Sequence, residues 1–97
     1  MKLNEEKWSI ESIHRGYIVY KENNHIAYVP GEMLIGGYQQ PDYVIYASNP
    51  LKWEPPFENE VINEETHDKI IDRVIDYLKI KNIKIEVDCA PSMYLKW

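Results

Sequence analysis

Few side chains in this 97-residue sequence are of types that do acid–base, nucleophilic or metal chemistry: His14, His25, His67, Cys89 and the carboxylates. His14 and His25 flank one expected strand and could face each other across neighbouring strands as an acid/base pair. Histidines on exposed hairpin positions are more commonly ordinary surface residues, however. A zinc site needs three or four ligands, and one cysteine with scattered histidines does not supply them, so neither a metal nor a cofactor is expected. Cys89 is the single cysteine, which leaves no intrachain disulfide and no CxxC pair. Gly31, Gly36 and Gly37 are spaced like a phosphate loop, but the Lys-Ser/Thr that would contact phosphate and magnesium is missing, and turns are the better use for them. No set of residues meets the geometric needs of a nucleophile with its base. The expectation is a protein that binds another protein and is not an enzyme. The alternatives are a small ligand-binding or regulatory module with a Tyr-lined groove, or a His-based hydrolase.

Charge is the more informative pattern. The chain carries a net −5, and between Trp53 and Asp68 stand Glu54, Glu58, Glu60, Glu64, Glu65 and Asp68 without one Lys or Arg. The rest of the chain is nearly neutral, so the acidity is local. An acidic protein is poorly suited to nucleic acid or an anionic membrane, both of which demand basic surface, and a basic protein partner fits it better. The plain structural account is that Glu64 and Glu65 serve a helix dipole and that acidic loops are common solvated surface. Eight tyrosines and three tryptophans add candidate anchors. Tyr17, Tyr20, Tyr28, Tyr43 and Tyr46 fall on expected strands, where core or cross-strand packing explains them. Tyr38 and Trp53 fall on loops and suit partner contact. The expected partner-binding set is therefore Trp53, Glu54, Glu58, Glu60, Glu64, Glu65 and Asp68, with Tyr38.

The elements that must position these residues follow from periodicity. The length suits one domain covering 1–97, and no internal repeat or linker divides it. The start lacks the apolar stretch of a signal peptide, and no run approaches the roughly 18 apolar residues that span a bilayer, so a cytoplasmic location is expected. Trp8 to Ile13 alternates as a strand, with a bulge deciding whether Ile13 joins Trp8 and Ile10 on the buried side. Tyr17 to Lys21 and His25 to Val29 form a hairpin about Glu22-Asn23-Asn24, residues that tolerate left-handed backbone. Pro30-Gly31 is expected to end that strand, with Glu32 to Ile35 open as a helical turn or an edge strand. Tyr43 to Ala47 reads as a central strand covered on both faces, and Ser48 to Glu60 as a long loop stiffened by Pro50, Pro55 and Pro56.

From Glu64 to Lys79 the period becomes helical, with Ile70, Ile71, Val74, Ile75 and Leu78 on one stripe and Asn63 as N-cap. On the other side Glu64, Asp68, Asp72 and Asp76 recur every four residues. Each such like-charge pair costs roughly 0.2 to 0.5 kcal/mol unless compensated, which Lys69, Arg73 and Lys79 are placed to do. Ile83, Ile85 and Val87 then alternate with charged residues as a last half-buried strand. The fold expected is α+β: a small antiparallel sheet of about five strands packed against one long helix in the C-terminal half.

The segments HRGYIVY, PGEMLIG and YASNPLKWEPPFENE, followed by the helix EETHDKIIDRVIDYL, resemble in order and spacing the immunity protein 74 family. The resemblance runs from about Ser12 to Val87. Its most specific parts are Arg15-Gly16, Gly31-Glu32 and Trp53-Glu54-Pro55-Pro56, and the chain departs from the family pattern at Asn49-Pro50 and Pro56-Phe57. What the resemblance implies is an antidote from a bacterial competition system, such as contact-dependent growth inhibition, that binds and neutralises a cognate toxin domain. An acidic inhibitor matches a basic toxin such as a nuclease, because opposite potentials accelerate encounter. A monomer is expected.

Overall fold

A computed structural model describes residues 7–35 and 40–88. Tyr38 and Cys89 lie outside the described residues. Five strands line up in chain order, β1 (Trp8–Ile13), β2 (Tyr17–Glu22), β3 (His25–Met33), β4 (Tyr43–Tyr46) and β5 (Ile85–Asp88), with one helix, α1 (Glu64–Ile80), between the last two. β1 to β4 pair antiparallel, whereas β4 and β5 are parallel. The sheet is therefore mixed and not wholly antiparallel as expected. The cause is the connection: a chain that leaves β4, crosses over through a helix and returns beside β4 re-enters in the same direction.

The β2–β3 turn is made by Asn23 and Asn24 alone, both at positive φ (51° and 73°), the backbone that a two-residue hairpin loop requires and that asparagine tolerates. β1 carries its irregularity between Ile10 and Ser12, which returns Ile13 to the face shared by Ile18. Pro30-Gly31 does not end β3. Gly31 N–H donates to Gly16 O at 3.1 Å and Met33 N–H to Arg15 O at 2.7 Å, while the opposite edge of the same residues pairs with β4. Strand alternation turns the missing donor of Pro30 to that opposite edge, between the Trp53 contact at Ala27 and the start of the β4 pairing, where no ladder bond is lost. Gly31 is required there: a Cβ would lie 2.6 Å from Val44 O and clash with Cε1 at the edge of the Tyr43 ring.

One face of the sheet holds the core. Ile18, Tyr20, Ala27, Val29, Tyr43 and Ile45 meet Ile70, Ile71, Val74 and Leu78 of α1, with Ala47, Leu51 and Trp53 closing the side. Each fully buried aliphatic side chain contributes roughly 1.5 to 3 kcal/mol. The helix begins where the sequence places it, with Asn63 Oδ1 accepting from Thr66 N–H at 2.8 Å. β4 is not covered on both faces. Tyr43 and Ile45 are buried, but Val44 and Tyr46 are only half-buried, and on the same helix-free face Tyr17 and Tyr28 are 39% and 47% exposed. One helix can cover one face only. Among the described residues no helix is long and apolar enough to cross a membrane.

Candidate functional site

The histidines are placed apart. His14 and His25 sit beyond opposite ends of β2, because Tyr17 pairs with Pro30 and Glu22 with His25. At about 3.3 Å per residue the strand separates them by far more than a hydrogen bond, so the facing acid/base pair does not form. His14 Nε2 lies 2.8 Å from Ser12 Oγ, the ring stacks on Tyr17 at 4.6 Å, and its carbonyl accepts from Tyr43 Oη at 2.7 Å. Ser12 is partly exposed and His14 exposed, beside the edge strand β1. Burial pushes the Tyr43 hydroxyl up to about 12, so it donates to that carbonyl and cannot act as a base near neutrality. His67 joins Asp68 Oδ1 and Asn49 O, each at 3.1 Å, tying the first turn of α1 to the loop after β4. No group of three or more His, Cys, Asp or Glu able to hold a metal occurs among the described residues.

The loop bearing the acidic stretch is fastened to β3. Trp53 bridges Ala27, and Glu54 N–H donates to Ile26 O at 2.8 Å. The bridge turns the Trp53 side chain to the core face, where it is 8% exposed and lies 6.5 Å from the Tyr20 ring. Trp53 is thus a core residue and not the exposed anchor its loop position suggested. Prolines on both sides and glutamates after it gave it the pattern of a surface residue, and a bridge of one residue leaves no periodicity to read.

Further along the loop, His25 Nε2 meets Glu60 Oε1 at 2.9 Å. Its Nδ1 is 3.0 Å from Asn23 O, and its ring stacks on Phe57 at 3.7 Å and stands edge-on to Trp53 at 5.1 Å. Burial lowers the His25 pKa, but the Asn23 carbonyl and the Glu60 carboxylate outweigh it, and the net direction is upward from 6.5. Glu58, Glu60, Glu64, Glu65 and Asp68 are exposed and Glu54 is half-buried, and Asp72 and Asp76 continue the exposed series along α1.

Two arrangements were not visible in sequence. Arg73 Nη1 donates to Tyr20 Oη at 2.7 Å and lies 3.3 Å from Glu22 Oε1, with its guanidinium 5.1 Å from the Trp8 ring, while Tyr20 donates to Glu22 at 2.6 Å. Burial, foremost, and then Glu22 raise the Tyr20 pKa well above the ordinary tyrosine value. The cluster locks α1 to the hairpin; in sequence Arg73 stood only among the cations placed to offset the acidic series of the helix. The second arrangement is an open groove between α1 and β5, lined by Ala47, His67, Asp68, Ile71, Asp72, Ile75 and Val87. It adjoins a concavity that shares Ala47, His67 and Asp68 and adds Leu51, Ile62 and Glu64. The carboxylates of the acidic series thus border apolar ground, and no lining residue of either concavity is Lys or Arg.

No curated protein and no solved structure matches the chain. A family model, immunity protein 74, matches residues 10–88, from the second half of β1 to the end of β5. The match reaches all five strands and takes in the acidic loop and the whole of α1. The chain belongs to the immunity protein 74 family and is an immunity protein of a toxin–immunity system.

Proposed function

We propose that the chain binds a cognate toxin domain in the cytoplasm, as a monomer, and neutralises it by occupying its surface, performing no catalysis of its own. The toxin is basic, and a nuclease is the class whose surface chemistry fits best, because enzymes that grip phosphate backbones carry Lys- and Arg-rich clefts. The observation that carries this reading is the acidic series: Glu58, Glu64, Glu65, Asp68, Asp72 and Asp76 are all exposed, in a family defined by immunity proteins. A one-signed surface accelerates encounter with a partner of the opposite sign and disfavours acidic bystanders. Trp53, being buried, contributes by holding the loop against β3.

Co-expression with the toxin encoded by the adjacent gene tests the reading. The expected result is a stoichiometric complex on purification and loss of toxicity. Continued toxicity with both proteins folded and present would reject it.

A further inference from the structure

β5 is the last strand of the described sheet, and its Val87 lines the groove beneath α1. Tyr43 N–H and Ala47 N–H donate to Lys84 O and Asp88 O at 3.1 and 3.0 Å. Successive residues on a strand turn their N–H and C=O groups to opposite sides. Lys84, Glu86 and Asp88 therefore serve the β4 ladder, and Ile85 and Val87 turn their N–H and C=O groups to the edge that no other described strand pairs. The Val87 side chain shares the helix-facing side with its register partner Ile45, yet it is 37% exposed where Ile45 is 0% exposed. The helix stops short of covering it.

Edge strands are normally guarded by a bulge, a proline or a lysine. β1, at the other edge, carries the irregularity between Ile10 and Ser12. β5 reads Ile-Glu-Val-Asp and pairs with β4 in unbroken register, so its four residues hold no bulge, proline or lysine, and its protection is limited to its shortness and the charges of Glu86 and Asp88. Beside it the groove offers Ile71, Ile75 and Val87 as an apolar floor within about 350 Å³, and Asp68 and Asp72 stand at its border. An extended chain laid along β5 would satisfy the edge, place alternate side chains over that floor and bring its flanking residues to the carboxylates.

We propose that the toxin docks one extended, basic segment as an additional strand on the open edge of β5. An apolar side chain of that segment fills the groove over Ile71, Ile75 and Val87, and neighbouring Arg or Lys side chains pair with Asp68 and Asp72. This rests on the reading of the chain as a toxin binder and adds the surface and the kind of segment it takes. Charge selects the occupant at the Val87 end, where the groove lining holds two carboxylates and no Lys or Arg, so a basic residue is held there and an acidic one repelled. The concavity at the Ile85 end holds Lys79 and Lys84, which confines the Arg or Lys of the docked segment to the part over Asp68 and Asp72. The helix-free sheet face around Tyr17 and Tyr28 is also exposed, but it presents no strand edge.

The test uses the full chain and the toxin encoded beside it. Val87→Pro removes an edge-facing N–H while leaving the β4 ladder intact, which edge strands tolerate. Asp68→Lys with Asp72→Lys reverses two exposed charges. With parent binding intact, Val87→Pro is expected to fold and to weaken binding at least tenfold, and the reversed pair to slow association at least tenfold at low salt. Hydrogen exchange should show the Ile85 and Val87 amides protected in the complex and open in the free protein.

Should Val87→Pro fail to fold, the reversed pair and the exchange measurement decide. Protection of both amides in the free monomer would mean that the chain covers its own edge, and self-association abolished by Val87→Pro would mean that a second copy does. Either result overturns the proposal. So does parent-like binding by both variants, above all if Tyr28→Ala then weakens it. Absence of any complex with the parent protein would instead reject the toxin-binding reading itself, and this proposal with it.

Discussion

At the scale of single residues, His25 fastens the acidic loop to the hairpin. The imidazole contacts Glu60 and Asn23 through its two nitrogens and packs on Phe57 and Trp53. The protonated ring is the form that a carboxylate and a carbonyl both favour, which is why its pKa is raised on folding despite the burial that opposes it. A raised folded-state pKa contributes stability that is fully present below the unfolded value, near 6.5, and is lost as pH rises through the folded value. Glu60→Gln removes the ionic partner. The variant is therefore expected to lose most stability relative to the parent below about pH 6.5, with the two urea-unfolding midpoints converging as pH rises. A gap that is constant with pH would show that the contact is only a neutral hydrogen bond. None of this pairing was legible in the sequence, since the two side chains are 35 positions apart and meet only because the loop returns along β3.

At the scale of elements, what has a period was legible and what depends on one long-range contact was not. The alternation in β1, β2 and β3, the Asn-Asn turn and the apolar stripe of α1 were all visible, because each repeats a signal over several residues. β3 was cut short at Pro30-Gly31 because these residues punctuate chains locally. The neighbours that keep the strand intact, the Arg15-Gly16 turn and β4, are distant in sequence. The parallel β5 was missed for the same reason: its direction is set by the crossover. Gly31 shows what the long-range contact demands. Because Val44 O, a backbone atom, would lie 2.6 Å from an added Cβ, the clash cannot be relieved by rotating a side chain. Gly31→Ala is expected to cost about 2 kcal/mol and to lower the melting temperature by roughly 10 °C, whereas Gly16→Ala, with nothing within 4 Å of its Cβ, meets no such clash. Equal melting temperatures would show that β3 and β4 separate readily at this point.

At the scale of the whole molecule, the exposed aromatic surface and the acidic series lie in different parts of the fold. The helix-free sheet face carries the exposed Tyr17 and Tyr28, while the acidic loop and α1 carry the carboxylates. The candidate site was thus partly legible: the carboxylates were found as a run, but the apolar ground beside them is assembled from the loop after β4, β5 and α1 and has no sequence signature. Charges spread over a loop and a helix act on a partner mainly before contact, by steering it, and this action is screened by salt over about 8 to 10 Å at physiological strength. Glu58, Glu64 and Glu65 are exposed and can be neutralised without opening the core, unlike Glu60, which holds His25. Glu58→Gln, Glu64→Gln and Glu65→Gln combined are therefore expected to slow association with the toxin by roughly three- to tenfold at low salt and to flatten its salt dependence, with dissociation little changed. Trp53→Ala, by contrast, opens a cavity against Tyr20 and Ala27 and is expected to lower stability by about 3 kcal/mol or more. Stopped-flow association at several salt concentrations, with chemical unfolding of each variant measured in parallel, separates the two effects. An unchanged association rate and salt slope in the folded triple variant would show that the acidic loop and first helical turn do not steer the encounter.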